Sequence, residues 1–168
     1  LKPVRIINIR AKRDNPGLWP QHLTAVKALA EITGARVEGA RVGSMELFFE
    51  PRTRRSGNFT FDIGTAGSIS LVIQAILPAL LFTGRSTRVD LIGGTDVSWS
   101  PPIDYMKSVF LHNLSLFGAR ARITVLRRGH YPRGGGRVVL EVEPLNAPLN
   151  PVNCVESHGI VSVKGVSH

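Results

Sequence analysis

Two stretches of the chain carry the same order of apolar and polar positions. In the first, Val4 to Ile9 alternate as a strand does, a loop rich in Arg, Pro and Gly follows, and apolar residues then recur at helical spacing from about Gln21 to Thr33. Leu23, Val26, Leu29 and Ala30 form the expected buried stripe of that helix. Gly34 stands where a left-handed C-terminal cap is expected, and Ala35 and Arg36 lead into strand-like residues that finish at Phe48, Phe49, Glu50 and Pro51. The second stretch has a strand at Arg88 to Ile92, a Gly, Ser and Pro loop, and a helix from about Ile103 to Phe117 opened by Pro101 and Pro102. Ile103, Met106, Phe110 and Phe117 are its expected buried face. Gly118, Ala119 and Arg120 repeat the Gly-Ala-Arg exit, and Leu140 to Pro144 repeats the strand that closes on Glu-Pro. The second copy is longer near Arg127 to Gly136, a basic, glycine-rich turn between two strands.

A further helix, Ala66 to Phe82, precedes the second copy and is apolar on nearly every side, which predicts burial. The pattern divides the chain into an incomplete first unit (1–58), a second unit (59–148) and the start of a third, truncated segment (149–168). If each unit is helix, strand, helix and then paired strands, residue 1 falls inside a unit whose opening helix comes earlier. The tail from Asn153 to His168 is expected to begin a β-rich segment. The chain therefore reads as part of a longer polypeptide with an α/β fold, an α+β sandwich in which two helices per unit cover one face of a mixed sheet.

Composition adds a partner class. Twenty-one Lys and Arg against twelve Asp and Glu give a net charge of +9 over 168 residues. The arginines bunch in turn-rich stretches, which favours a polyanion over solubility alone as the reason for the charge. Cys154 is the only cysteine, so neither a disulfide framework nor a Cys-based zinc site can be built within the chain, and intracellular residence is expected. The longest apolar run, Leu71 to Phe82, is shorter than the roughly 20 residues of a membrane span and contains Pro78. No secretory pattern opens the chain.

Four segments carry candidate chemistry: 9–21 (IRAKRDNPGLWPQ), 62–74 (DIGTAGSISLVIQ), 93–105 (GGTDVSWSPPIDY) and 129–137 (GHYPRGGGR). Arg10, Lys12 and Arg13 surround a turn at Pro16 and Gly17 that leads to Gln21 and His22 at a helix N-terminus, where unpaired N–H groups favour an anion. An ordinary basic loop is the alternative. Gly64 to Ser68 is a small-residue turn open to close backbone approach, but it has neither the lysine of a P-loop nor a G-x-G-x-x-G pattern. Gln74 sits in an apolar helix, where its amide needs a partner, either a ligand or the core. Trp99, Pro101, Pro102 and Tyr105 either wall a flat ring or pack in the core. Arg133 and Arg137 around three glycines suit a phosphate backbone or a plain hairpin. His22, His130, His158 and His168 show no metal-ligand spacing.

In combination and order, these four segments resemble the RNA 3′-terminal phosphate cyclase family, and the likeness covers nearly the whole chain. It implies repeated two-helix, four-stranded units resembling the C-terminal domain of translation initiation factor three. It also implies an ATP-dependent reaction: a histidine is adenylated, AMP passes to an RNA 3′-phosphate, and the vicinal 2′-hydroxyl closes a 2′,3′-cyclic phosphate. ATP and a divalent metal, Mg or Mn, are the implied cofactors, and RNA ending in a 3′-phosphate is the implied partner. By position, Arg10, Arg13 and Gln21 match family residues tied to phosphate contact or activity, and Gln74, Pro101 and Tyr105 match residues around the adenine nucleotide. A glycine-rich segment bearing a metal-linked glutamate is expected before Leu1, and the nucleophilic histidine after His168. Neither is in this chain. A cytoplasmic location, or a nuclear one in a eukaryote, is implied, with no membrane association. Two other readings stand beside this one: a catalytically silent relative that binds ribosomal RNA during ribosome biogenesis, and, by fold analogy alone, an enolpyruvyl transferase.

Overall fold

The computed structural model describes residues 2–156 and 159–165. In chain order the elements are β1 (Val4–Ile6), α1 (Pro20–Thr33), β2 (Arg36–Glu38), β3 (Leu47–Glu50), β4 (Asn58–Asp62), α2 (Ile69–Leu80), β5 (Thr87–Gly93) and α3 (Ile103–Tyr105). A π-helical stretch, Met106–Phe110, continues α3 into α4 (Leu111–Leu116), and β6 (Ala121–Arg127) and β7 (Gly136–Val142) follow.

The strands form two sheets, one in the order β1-β3-β2 and one in the order β4-β5-β7-β6. β4 and β5 run parallel and are joined through α2, as parallel neighbours require a crossover, whereas every other pair is antiparallel. The two related stretches therefore share one connectivity. In each, a strand, a helix and two more strands are arranged with the last strand between the other two.

Alternation explains the larger sheet. Val89 and Leu91 of β5 face Leu140 and Val138 of β7 in register, and all four are buried. On the opposite face, Arg137 Nη2 lies 2.9 Å from Asp90 and Arg88 Nη1 lies 3.2 Å from Glu141, which keeps that surface in water. The buried face receives α2 through Ile69, Val72, Ile73, Ile76, Leu77 and Leu80, and the following helix through Ile103, Met106 and Leu111. Ala28 and Ile32 of α1 join the same core.

Several boundaries and faces differ from the pattern. β1 stops at Ile6 instead of Ile9 because Asn8 and Arg10 take positive φ values of 58° and 52°, which turn the chain out of the strand. α2 begins at Ile69 instead of Ala66, since Ser68 caps it by accepting a hydrogen bond from Leu71 N. It ends at Leu80, and its burial is not complete either, because Gln74 and Pro78 are exposed, as is Phe82 beyond its end. On α1 the stripe Leu23, Val26, Leu29 and Ala30 is only half-buried, while Ala28, Ile32 and Thr33 are the buried residues. The helix packs on α2 with a face rotated from the one hydrophobicity alone selects. Phe117, expected in the core, is 39% exposed, and Leu111 takes an inward place instead. The closing strand ends at Val142, before Glu143-Pro144. Among the described residues after 149 there is no strand, so the β-rich tail is not found there; His158 and His168 lie outside the described residues.

Candidate nucleic-acid interface

β4 and β5 end at Asp62 and Gly93, and the β6–β7 hairpin turns between Arg127 and Gly136, so three loops leave the same end of the larger sheet. They close on one another backbone to backbone. A Cβ on Gly129 would lie 2.2 Å from Gly136 N and 2.5 Å from Gly93 O, and one on Gly134 would lie 2.7 Å from Ala66 Cα. Only glycine permits this approach. Thr95 fastens the loops further, its N–H donating to Gly129 O at 2.8 Å and its Oγ1 accepting from Gly129 N at 3.0 Å.

The first basic loop arrives at this end through Gln21, whose Oε1 accepts from Ser68 N at 3.0 Å, at the cap of α2. Gln21 thus ties α1 to the small-residue turn. Arg10 is likewise committed to structure. Its Nη1 donates to Asn15 O at 2.6 Å and to Gly17 O at 3.1 Å, and its guanidinium lies 4.7 Å from the Trp19 ring centroid. Lys12 and Arg13 are exposed at the same turn. His22 Nδ1 accepts from Trp19 N at 3.1 Å, satisfying one of the open donors of α1. Burial, and then the charge of Arg10, lower the His22 pKa and keep that nitrogen an acceptor.

Gln74 belongs to the next part of the site. It is exposed on α2, with Nε2 3.9 Å from Met106 Sδ, which overturns the core alternative for its amide and, with it, the burial expected all round this helix. Pro78 has no N–H to return to the Gln74 carbonyl, which leaves a further acceptor on that face. A rise of 1.5 Å per residue sets the Gln74 backbone about 9 Å along α2 from Ser68, and hence from the end held by Gln21. Met106 adjoins Tyr105, which is 47% exposed, and Pro101 is half-buried nearby in sequence. Gln21, Gln74 and Tyr105 are accordingly linked through one helix and its neighbour. Trp99, in contrast, is fully exposed, which overturns core packing as its role. Arg137 is held by Asp90 through Nε at 3.1 Å and Nη2 at 2.9 Å, and so does not reach for a phosphate as its place beside the glycines suggests.

One group was invisible in the sequence. Arg128 Nη1 lies 3.2 Å from Asp96 Oδ2, and Nη2 lies 2.7 Å from Asp104 Oδ2, with all three side chains mostly buried. The hydrogen bond that Arg128 donates to Asp104 foremost, then the charges of Asp104 and Asp96, raise the Arg128 pKa against a contrary effect of burial. Asp96 Oδ1 also accepts from Ile103 N at 3.3 Å. This bracket holds the loop carrying Trp99 and Pro101 at both ends, and no local spacing could announce a partner 32 residues away. A cleft of about 610 Å³ lies at the far end of the sheet, lined by Asn58, Thr87 and Arg122 among others, and contains none of the expected site residues. Among the described residues, no group of three or more His, Cys, Asp or Glu side chains could hold a metal, and no helix is long and apolar enough to cross a membrane.

The fold and this end of it define an α+β protein whose basic loops converge beside an open helix face. The family model described as RNA 3′-terminal phosphate cyclase matches residues 1–163. Curated proteins named RNA 3′-terminal phosphate cyclase match as well: 65% identical in Staphylothermus marinus and 61% in Desulfurococcus amylolyticus, each over all of this chain and 47% of the relative. A third, from Pyrobaculum aerophilum, is 54% identical over 99% of the chain and 48% of its own length. The chain belongs to the RNA 3′-terminal phosphate cyclase family, and it spans about half the length of these curated relatives.

Proposed function

We propose that the protein of which this chain is a part converts an RNA 3′-phosphate to a 2′,3′-cyclic phosphate at the expense of ATP. The observation that carries this reading is the family match over residues 1–163, on a chain whose basic loop and nucleotide-facing helix are joined through the Gln21–Ser68 contact. The two related stretches are read as copies of one two-helix, four-stranded unit of the kind found in the C-terminal domain of translation initiation factor three.

ATP supplies the adenylyl group, carried first on a histidine outside this chain and then on the RNA 3′-phosphate. Attack by the vicinal 2′-hydroxyl forms the new O–P bond and expels AMP. This chain's residues position and stabilise. Arg13, exposed at the turn that Arg10 organises, faces the RNA phosphate and offsets charge on its oxygens. Gln21 sets the distance between that turn and the cap of α2. Gln74 presents amide hydrogen-bonding groups to the edge of the adenine, and Tyr105 and Pro101 hold its faces. The divalent metal implied for the triphosphate finds no protein cage among the described residues, and none of these roles depends on one.

The test uses the full-length protein with ATP and RNA carrying a labelled 3′-phosphate. The expected product end resists phosphatase, and 3′-hydroxyl RNA yields none. An end that stays phosphatase-sensitive overturns the reading.

A further inference from the structure

Two aromatic side chains stand in water at the loop end of the larger sheet, and the roles above use neither. Trp99 is 100% exposed and Tyr131 is 82% exposed. Trp99 also has φ of 64°, a left-handed conformation that bulky residues rarely adopt and that persists where the surroundings impose it. A large ring placed in solvent on a strained backbone is disfavoured twice, which points to a use outside the packed chain.

The loops that carry these rings are anchored to each other. Thr95 and Gly129 exchange the two hydrogen bonds already described, and Arg128 pairs with Asp96 at 3.2 Å. Trp99 follows that joint by four residues and Tyr131 by two, so each ring extends from a fixed support. The hairpin tip rests on the turn that Gln21 touches, since Gly134 packs against Thr65 and Ala66. Arg127 and Arg133 flank Tyr131 along the hairpin. Arg127 spends Nε on the Gly135 carbonyl at 2.7 Å, and neither Arg127 nor Arg133 pairs with a carboxylate among the described residues. Exposed rings interleaved with unneutralised arginines suit single-stranded nucleic acid, whose bases offer π faces while its phosphates take the charge.

We propose that Trp99 and Tyr131 form a stacking platform for the bases of single-stranded RNA upstream of the reacting 3′ end. The platform rests on the cyclase reading for its position relative to that end, and it makes an unpaired terminus the preferred substrate. Bases within an A-form duplex are already stacked on one another and cannot use it.

The test uses full-length protein and fluorescein-labelled single-stranded RNA with a 3′-phosphate, read by anisotropy, with a duplex of the same sequence alongside. Trp99→Ala and Tyr131→Ala are each expected to weaken single-strand binding on the order of tenfold. Trp99→Phe, which keeps a ring, retains most of the affinity, and duplex binding changes little. RNA with 5-iodouridine near its 3′ end is expected to crosslink to the peptides holding Trp99 or Tyr131. Unchanged affinity in the double variant overturns the platform. So does an equal loss of melting temperature in Trp99→Ala and Trp99→Phe, which would place Trp99 against the remainder of the polypeptide. Failure of the cyclase reading looks different: wild-type protein forms no cyclic end, and the binding comparison still decides the platform.

Discussion

Arg10 and Arg13 stand three residues apart in one basic loop and perform different work. Arg10 holds two backbone carbonyls and lies over Trp19, from a backbone that itself has positive φ. Arg10→Ala removes charge-assisted hydrogen bonds that fix the turn, so it is expected to lower stability by about 1–3 kcal/mol as well as activity. Lysine cannot reproduce the planar fork and does not rescue it. Arg13→Ala should leave the melting temperature in place and reduce the salt slope of RNA binding by about one phosphate contact. Thermal melts and salt titrations of the two variants separate them, and equal losses of stability would remove Arg13 from the interface. Arg128 presents a third case. Arg128→Ala leaves Asp96 and Asp104 facing each other's neighbourhood without their cation, with an expected cost of about 3 kcal/mol and a loosened loop at Trp99 to Tyr105. A raised KM for ATP, with the melting loss recovered by Arg128→Lys more fully than the KM, is the expected signature.

At the scale of elements, closeness of backbones decides what the loop end tolerates. Gly129→Ala forces a methyl group to within 2.2 Å of Gly136 N, in a place where neither neighbour is a flexible side chain, and about 3 kcal/mol or more should be lost in chemical denaturation. Gly135→Ala is the milder control: its φ is 68° but the nearest atom is Arg127 Nη2 at 3.7 Å, so about 1 kcal/mol for the left-handed backbone is expected. The start of α1 adds a pH dependence. His22 has a lowered pKa in the folded state, so below its ordinary value near 6.5 the unfolded chain takes up the proton first. Stability from this contact is complete above that pH and is lost as pH falls, because protonated Nδ1 no longer accepts from Trp19 N. His22→Ala should flatten that part of the stability profile, and an unchanged profile would rule out the contact. These cases show what pattern could reveal. Periodicity located the strands and helices of both stretches, because spacing along the chain is what alternation and helical pitch encode. It missed the face by which α1 meets α2, since Leu23 and Ile32 are equally apolar and only the neighbour selects between them. It also left Gln74 between a ligand and the core, because exposure of one edge of α2 depends on what packs beside it and not on the helix itself.

Across the whole molecule, charge and catalysis separate. The net charge of +9, with Arg127 and Arg133 at the loop end pairing with no carboxylate among the described residues, belongs to this chain, so it should bind single-stranded RNA by itself, with log affinity falling linearly in log salt at a slope near −0.7 per phosphate contacted. Adenylation needs a nucleophile, and the described histidines do not offer one suited to it. His22 spends Nδ1 on the cap of α1, His112 is exposed on α4 away from the converging loops, and His130 already has an interaction of its own. Incubation of this chain with α-labelled ATP is therefore expected to leave no protein-AMP adduct under conditions where the full-length protein forms one, while salt-dependent RNA binding persists. An adduct on the chain would move the nucleophile into it and reassign the division of labour. Loss of RNA binding together with a cooperative melt would show instead that the basic loops need the rest of the polypeptide to assemble the interface.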